Sequence, residues 1–394
     1  MIVRKATPQD QARIDELFAI AFEQPLKRGT PREESGNVSS WAAFTDDSQM
    51  MSTFSVTDFL IQFDGNHCKM GGIGGVATLP QFRRRGGIRG CFQAALPDMF
   101  ENGYDFSYLY PFSTGYYRKF GYESCVQKLL ATVDLQLLDP PEVAGHFRLA
   151  EAADPFRKEI VAIDRVWEEQ FNMMVIHQEK DYDFTKRCDP AASQEFTYVY
   201  FSADGTPKAY TTFVKTDHRD GRNLVCTWLF FTDREGFYGL MNLFKSLSAD
   251  HKYVKFVLPS CTAMQYLCPE WSLGAALWAL QPGGMVRVVN VQSVLQKARY
   301  AGSGAVTLEV RDRQVAQNNR RFAVSFENGK AVSVEGTGAD ADLSLDIATF
   351  SALIAGVWDF ADSSRWMGGL TLHRDNPDLR KVFYRKPLML VDYF

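Results

Sequence analysis

The chain has 394 residues, of which 46% are hydrophobic and 23% charged, and its formal net charge is −4 at pH 7. Such values are typical of a soluble globular protein with two or three domains, and the acidic balance argues against general nucleic-acid binding. The seven cysteines form no CxxC or CxxxC pair, so we expect reduced thiols in a cytoplasmic protein rather than a disulfide framework or a zinc site. No run of 18 apolar residues is present and the N-terminus is charged at once, so we expect neither a membrane span nor a signal peptide.

The first third of the chain alternates strands and helices. A short strand from Ile2 to Lys5 leads through Thr7-Pro8, a helix-start signal, into an amphipathic helix predicted over residues 9–22. Strand patterns follow at residues 50–64 and in HCKMGGIGGVATL, where the glycines indicate a bulge or a close backbone approach. The turn RRRGG, a helix to about Asn102 and the strand YDFSYLYP complete this part.

The middle of the chain repeats the same plan. The linker signal Asp139-Pro140-Pro141 predicts a domain boundary near residues 140–150. After a hairpin with an Asp-Gly turn, the order strand, turn, helix, strand returns as NLVCTWLFF, TDREG, FYGLMNLFKSL and KYVKFVLP. The run of three arginines occurs only in the first copy, which indicates one working copy and one scaffold copy.

A third part follows the linker QPGGM at residues 281–285. It is predicted to form alternating strands with a hairpin at ENGK and then the helix IATFSALIAGVW. Its end, LMLVDYF, is apolar, whereas chain ends are normally polar and frayed. The sequence therefore predicts an α/β (α+β) protein with domains at residues 1–145, 146–284 and 285–394.

The turn RRRGG lies where a strand gives way to a helix, and we expect it to bind an anion. A helix N-terminus has unpaired N–H groups and about half a positive charge. Gly86 and Gly87 would let phosphate oxygens reach the backbone, while Arg83, Arg84 and Arg85 would add charged hydrogen bonds. There is no P-loop motif and no G-x-G-x-x-G with a downstream carboxylate. A pyrophosphate is the expected ligand, and a solvated basic turn is the alternative.

The run VATLPQFRRRGGI, followed by a helix and then YLYPFSTGYYRKFGYE, resembles the Gcn5-related N-acetyltransferases. More narrowly, it resembles the enhanced intracellular survival (Eis) family of bacterial acetyltransferases. The signature [RQ]-x-x-G-x-[GA] is matched except at Ile88, where Eis-like members tolerate a large apolar residue. The resemblance covers the whole chain and implies an active N-terminal acetyltransferase domain, a degenerate second one with a mixed sheet, and a C-terminal sterol-carrier-protein-like domain. It also implies a hexamer built as a trimer of dimers.

The resemblance implies roles for individual residues. Tyr117 matches the general acid that protonates the departing CoA thiolate, and Phe394 matches the C-terminal residue whose α-carboxylate works on the acceptor amine. Phe22 and Trp41 match aromatic positions that line the acceptor pocket. The residues matched to acetyl-CoA binding are Val76 and Thr78 for the pantetheine arm and Arg83, Arg84, Gly86, Gly87 and Ile88 for the pyrophosphate.

Each of these roles has an alternative. Tyr116 could be the acid instead of Tyr117, Phe394 could be a packed anchor, and Phe22 and Trp41 could belong to the core.

An α-carboxyl has a reference pKa of only about 3.5, so it is a weak base unless burial raises its pKa. The main role of the Phe394 carboxylate would therefore be to attract a cationic amine. The oxyanion would take a hydrogen bond from a backbone N–H of the Val76 strand. The six histidines have no metal spacing, so no metal is expected.

We therefore expect an acetyl-CoA-dependent N-acetyltransferase that acts on a primary amine of a cationic small-molecule acceptor by direct attack through a tetrahedral intermediate. The acceptor could be aminoglycoside-like, a polyamine or a lysine side chain. Two alternatives come from other classes: a lipid-binding carrier protein, suggested by the C-terminal domain, and a catalytically silent acyl-CoA-binding regulator. Retention of Tyr117 and of an aromatic terminus argues against the silent regulator.

Overall fold

The computed structural model describes residues 1–26, 37–178, 182, 188–218, 221–264 and 276–393. The chain forms two compact units. The first contains residues 1–126, 283–386 and the chain end from Leu390, and the second contains residues 127–282 and 387–389. No helix in the described residues is long and apolar enough to cross a membrane.

The described strands and helices are numbered here in chain order. The strands are β1 (Ile2–Lys5), β2 (Val38–Phe44), β3 (Met50–Phe63), β4 (Asn66–Thr78), β5 (Phe106–Leu109), β6 (Glu123–Ser124), β7 (Gln127–Asp134), β8 (His146–Leu149), β9 (Glu195–Phe201), β10 (Pro207–His218), β11 (Gly221–Phe231), β12 (Tyr253–Pro259), β13 (Ala276–Pro282), β14 (Met285–Val288), β15 (Gly304–Arg311), β16 (Arg320–Glu327), β17 (Lys330–Gly336), β18 (Leu343–Asp346) and β19 (Leu370–Leu372). The helices are α1 (Gln11–Ala21), α2 (Gly87–Glu101), α3 (Thr114–Tyr117), α4 (Arg157–Gln170), α5 (Pro190–Ser193), α6 (Arg234–Ser246), α7 (Val291–Lys297), α8 (Ile347–Ala355), α9 (Phe360–Trp366) and α10 (Leu379–Val382).

The first sheet has the strand order β1-β2-β3-β4-β5-β14-β6, in which β4 and β5 are parallel. Helix α1 begins after a capping box in which Thr7 and Asp10 bond each other's backbone, as the start signal predicted. Leu17 of α1 packs in a cluster with Ala77 and Leu79, whereas Phe92 of α2 packs in a separate cluster. These two helices therefore bury different sets of strand side chains.

The second sheet follows the same plan, with the order β8-β9-β10-β11-β12-β7-β13 and a parallel pair β11–β12. This confirms the repeat that the sequence predicted. In the first sheet the place beside β5 is taken by β14, which follows the second repeat in the chain. In the second sheet the matching place beside β12 is taken by β7, which precedes that repeat.

The third sheet has the order β17-β16-β15-β18-β19. Its hairpin turns at Asn328 and Gly329, as predicted from ENGK, and helix α8 follows β18 directly. The predicted domain boundaries at 145 and 284 differ from the extents of the compact units, because residues 127–134 pair in the second sheet and residues 285–288 in the first. The division into three domains stays a prediction.

Two ion pairs with buried carboxylates join later residues of the first unit to its first sheet. Lys386 bonds Asp64 at the turn between β3 and β4, and both side chains are at most 5% exposed. Lys297 of α7 bonds Asp105, the residue before β5, at 2.6 Å. Pairs of this kind cost desolvation and require a defined geometry, so they fix the position of the C-terminal residues on the sheet.

Candidate active site

Strands β4 and β5 pair over only part of their length. Their ladder runs from Met70 and Phe106 to Ile73 and Leu109, and β4 then continues to Thr78. Among the described residues, no strand pairs with this end of β4 on the β5 side. Backbone N–H and C=O groups need partners, so the separated edge can bind an extended ligand.

A bulge interrupts β4 at the point where the strands separate. Thr53 of β3 pairs with Ala77 and Ser55 pairs with Gly74, so Gly75 and Val76 together oppose one residue of β3. Gly75 has a φ of 59°, a conformation that favours glycine. Bulges redirect the backbone locally, and this one turns backbone groups of the Gly75–Val76 segment out of the regular ladder.

The N-terminus of α2 has no side-chain cap. Gly86 is the N-cap residue with a φ of 85°, and a Cβ added to it would meet no atom within 4 Å. Arg83, Arg84 and Arg85 precede it and all three are exposed. Arg84 has a φ of 64°, a conformation that costs a non-glycine residue about 1 kcal/mol. The turn thus exposes unpaired N–H groups, positive charge and open space together.

Gly87 and Ile88 face inward. A Cβ on Gly87 would lie 2.4 Å from the Ser52 hydroxyl, which in turn bonds Thr78 at 2.9 Å. Gly87 therefore allows the close packing of α2 on β3, and the anion access predicted for it stays a prediction. Ile88 is buried in the same cluster as Phe92, which explains a large apolar residue at that position.

Tyr117 lies at the end of α3 and is 2% exposed. Its ring packs edge-on against Phe92, Phe112 and Tyr116. Burial raises the pKa of the Tyr117 hydroxyl above its usual value, and it does the same for the pKa of the half-buried Tyr116. Both hydroxyls are therefore protonated at neutral pH and able to donate. Tyr117 belongs to the core cluster of α2, and Val76 packs against the same cluster.

The chain end lies beside β5. The Tyr110 hydroxyl donates to the main-chain carbonyl of Asp392 at 2.7 Å, and the rings of Tyr110 and Tyr393 stack with centroids 4.4 Å apart. Phe394 lies outside the described residues. Its neighbour Tyr393 is nevertheless placed next to the residue that follows β5.

The two predicted acceptor-pocket aromatics lie apart. Phe22 is 44% exposed just after α1 and contacts Phe18 at 4.4 Å between ring centroids. Trp41 is 8% exposed and packs in the cluster of α2, which favours the core alternative for this residue. Phe18 was not predicted as a site residue. Its spacing of four from Phe22, the C-cap residue of α1, places both rings on the same side of the helix. A Cβ added to Gly75 would lie 3.5 Å from the Phe18 ring, so Phe18 borders the bulge.

The corresponding helix of the second sheet is capped by its own side chain. Asp233 precedes α6 and accepts a hydrogen bond from the N–H of Gly236 at 2.9 Å, and it also bonds Lys208. A Cβ on Gly236 would lie 2.4 Å from the carbonyl oxygen of Lys208. The N-terminus of α6 is therefore occupied by an internal anion. The described residues contain no group of side chains that could hold a metal ion.

Comparison with known proteins agrees with this architecture. Residues 2–125 match the family model of the acetyltransferase (GNAT) domain, and residues 291–386 match that of the sterol carrier protein domain. Curated protein sequences yield no match to the chain. The chain thus combines a GNAT acetyltransferase domain with a sterol carrier protein domain and is an N-acetyltransferase, as predicted.

Solved structures share the fold over its full length. A probable N-acyltransferase of Enterococcus faecalis is 23% identical with a TM-score of 0.85, covering 100% of this chain and 99% of its own. A GCN5-related N-acetyltransferase of Anabaena variabilis is 18% identical with a TM-score of 0.83, and both chains are covered completely. Eis1 of Mycobacterium abscessus is 17% identical with a TM-score of 0.79, again with complete coverage of both chains. These likenesses confirm the predicted fold, a tandem GNAT-like structure with a C-terminal sterol-carrier-protein-like domain.

Proposed function

We propose that the first domain transfers an acetyl group from acetyl-CoA to a primary amine of a cationic acceptor. The observation that supports this most directly is the pairing of an uncapped, arginine-flanked helix N-terminus with a separated and bulged strand edge. The helix N-terminus suits a pyrophosphate, and the strand edge suits the extended, amide-containing pantetheine arm. The sequence places the two within a few residues of each other.

The residues fit acetyl-CoA, which would supply the activated acetyl thioester. Gly86 leaves room for phosphate oxygens at the N–H groups of the first turn of α2, where Gly87 and Ile88 contribute main-chain donors. Arg83 and Arg84 would add charged hydrogen bonds. The backbone of Val76 and Thr78 would hold the arm along the free edge of β4, and the N–H of the bulge would donate to the acetyl carbonyl oxygen.

Tyr117 would hold the proton for the departing sulfur. A thiol has a pKa near 8.5 and a tyrosine near 10, so the neutral phenol is the correct form at pH 7. The raised pKa of Tyr117 keeps its hydroxyl protonated and makes donation more uphill, so the position of the hydroxyl matters more than its acidity. Tyr116 is the alternative donor, and it is more exposed than Tyr117.

The acceptor would bind beside Phe18 and Phe22. Aromatic faces attract ammonium groups by about 0.5–2 kcal/mol, which suits a cationic amine. The α-carboxylate of Phe394 would orient that amine and help remove its proton. Aminoglycoside-like compounds, polyamines and lysine side chains all offer such an amine. A hexamer arranged as a trimer of dimers is a proposal from the family resemblance, and a cytoplasmic location is a proposal from the unpaired cysteines.

The test is thiol release from acetyl-CoA with a panel of polyamines, aminoglycosides and lysine peptides. We expect turnover with at least one cationic amine and acetylated product of the matching mass. The matched control is a panel of simple monoamines, which should react poorly because they have no second cationic group. Tight CoA binding without turnover on any amine would favour the silent regulator, and a retained lipid with no CoA binding would favour the carrier.

A further inference from the structure

Arg287 is the largest side chain that is completely buried in the described part of the chain. It lies on β14, and its Nη2 donates to both carboxylate oxygens of Asp312 at 2.9 and 2.7 Å. Both side chains are 0% exposed. Asp312 also accepts hydrogen bonds from the main-chain N–H groups of Gln314 and Val315 and from the amide of Asn318. The carboxylate is thus fully bonded and holds the guanidinium in one orientation.

The other end of the guanidinium reaches the turn that follows Tyr117. Nη1 of Arg287 donates to the carbonyl oxygen of Phe120 at 2.9 Å. Phe120 ends the 3-10 turn Arg118–Phe120, which begins directly after Tyr117. The next residue, Gly121, has a φ of 86°, and a Cβ there would lie 1.9 Å from Nη1 of Arg287. Glycine at this position is therefore what admits the guanidinium to the carbonyl.

Stability alone does not account for this arrangement. Replacing a buried ion pair by apolar residues of similar volume is often neutral or stabilising, because both charges lose their hydration. Nε of Arg287 is also buried and has no hydrogen-bond partner among the described residues, which adds a further cost. An apolar pair would lack the acceptors that Asp312 offers to its own neighbours, and it would lack the hydrogen bond to the Phe120 carbonyl. Only the second of these reaches the turn that follows Tyr117.

We propose that Arg287 is a positioning residue for Tyr117. The pair with Asp312 fixes the guanidinium, and its Nη1 fixes the turn at Phe120, whose ring stacks on Phe92 at 4.3 Å. The same turn closes on Tyr117 itself, because the N–H of Tyr122 donates to the Tyr117 carbonyl. The proposal rests on the proposed role of Tyr117 as proton donor. It means that β14, which follows the second domain in the chain, helps to position Tyr117, the proposed general acid of the first domain.

The test uses the full chain with the double substitution Arg287→Met and Asp312→Leu, which removes the bond to the turn without leaving an unpaired charge. We expect kcat to fall by about tenfold or more, because small displacements of a proton donor are costly, while KM for acetyl-CoA changes less than about twofold. Amide hydrogen exchange at Tyr122 should become faster than in the parent chain. If the double variant does not fold, Arg287→Lys serves instead, because one ammonium cannot keep both the paired bonds to Asp312 and the bond to Phe120.

Two further variants separate the possible outcomes. Lys297→Met removes the ionic partner of the buried Asp105 in the same unit and should leave kcat unchanged. Tyr117→Phe should lower kcat, and its combination with the double variant should lower kcat little further, because both act on one step. A normal kcat in the folded double variant, or fully additive losses, would refute the positioning role and leave the proposed function intact. A normal kcat in Tyr117→Phe would refute the proton-donor role first, and the positioning role with it.

Discussion

The hydroxyl of Tyr110 donates a hydrogen bond to the main-chain carbonyl oxygen of Asp392 at 2.7 Å. Tyr110 directly follows β5, whose pairing with β4 ends at Leu109 and Ile73. The last described residues of the chain are therefore fastened next to the point where the two strands separate. This relationship places the end of the described chain beside the proposed site, and the first prediction tests whether it has a role there.

Appending residues to Phe394 should lower kcat by about a hundredfold or more, with CoA affinity near that of the parent chain. The added peptide bond removes the α-carboxylate, and losses of this size are expected when geometry determines the chemistry. Steady-state kinetics and calorimetry with CoA measure the two effects. The same tag placed before Met1 is the control and should leave kcat unchanged. Full turnover with the C-terminal tag would make Phe394 a packing anchor, and the base would then be sought among the carboxylates of the first domain.

Replacing Arg84 or Arg83 by alanine should weaken CoA binding by about 1–3 kcal/mol, the range for hydrogen bonds of charged groups. Binding by the parent chain should also weaken as salt rises, because the ligand is an anion. Calorimetry at two salt concentrations gives both results. Arg234→Ala is the matched control, because Arg234 begins the corresponding helix α6 and is exposed. Equal affinity in the parent chain and in both alanine variants would exclude the arginine turn as the pyrophosphate site.

Calorimetry should find one CoA site per chain. The N-terminus of α6 is already bonded by the carboxylate of Asp233, and an approaching pyrophosphate would meet that charge and Glu235. Removing the acidic cap by Asp233→Asn should not create a second site, because the turn has only Arg234 in place of the run of three arginines. A stoichiometry of two for the parent chain would show that the second domain also binds CoA.

The second unit should lose stability as the pH falls below about 6.5. His251 is 6% exposed, and neither ring nitrogen has a hydrogen-bond partner among the described residues. Burial, followed by the charge of Lys215, lowers the pKa of His251 below its usual 6.5. Above that value the histidine is neutral in both states. Below it the unfolded chain takes up the proton first, so the free energy of unfolding decreases.

Urea unfolding at pH 7.5 and pH 5.5 checks this dependence. His251→Phe should flatten it, because the apolar ring has no proton to gain. His67→Gln is the control, since His67 is exposed. An equal loss of stability in the parent chain and in His251→Phe would assign the pH dependence to other groups.

Several parts of this protein could be predicted from the sequence because neighbouring residues determine them. Thr7 and Asp10 form the cap that the start signal indicated, and the Asn328–Gly329 turn closes the predicted hairpin. The arginine–glycine turn was placed correctly between a strand and α2. Caps, turns and alternation depend on contacts a few residues apart, which a sequence pattern records directly.

Other parts were decided only by the tertiary structure. Nothing local indicates that β14 pairs with β5, that Ser52 requires a glycine at position 87, or that Phe18 borders the bulge of β4. Arg287 bonds a carbonyl 167 positions away, at Phe120. Such contacts join residues that are distant in the chain, so their geometry is set by sheet order and packing rather than by the pattern of adjacent side chains.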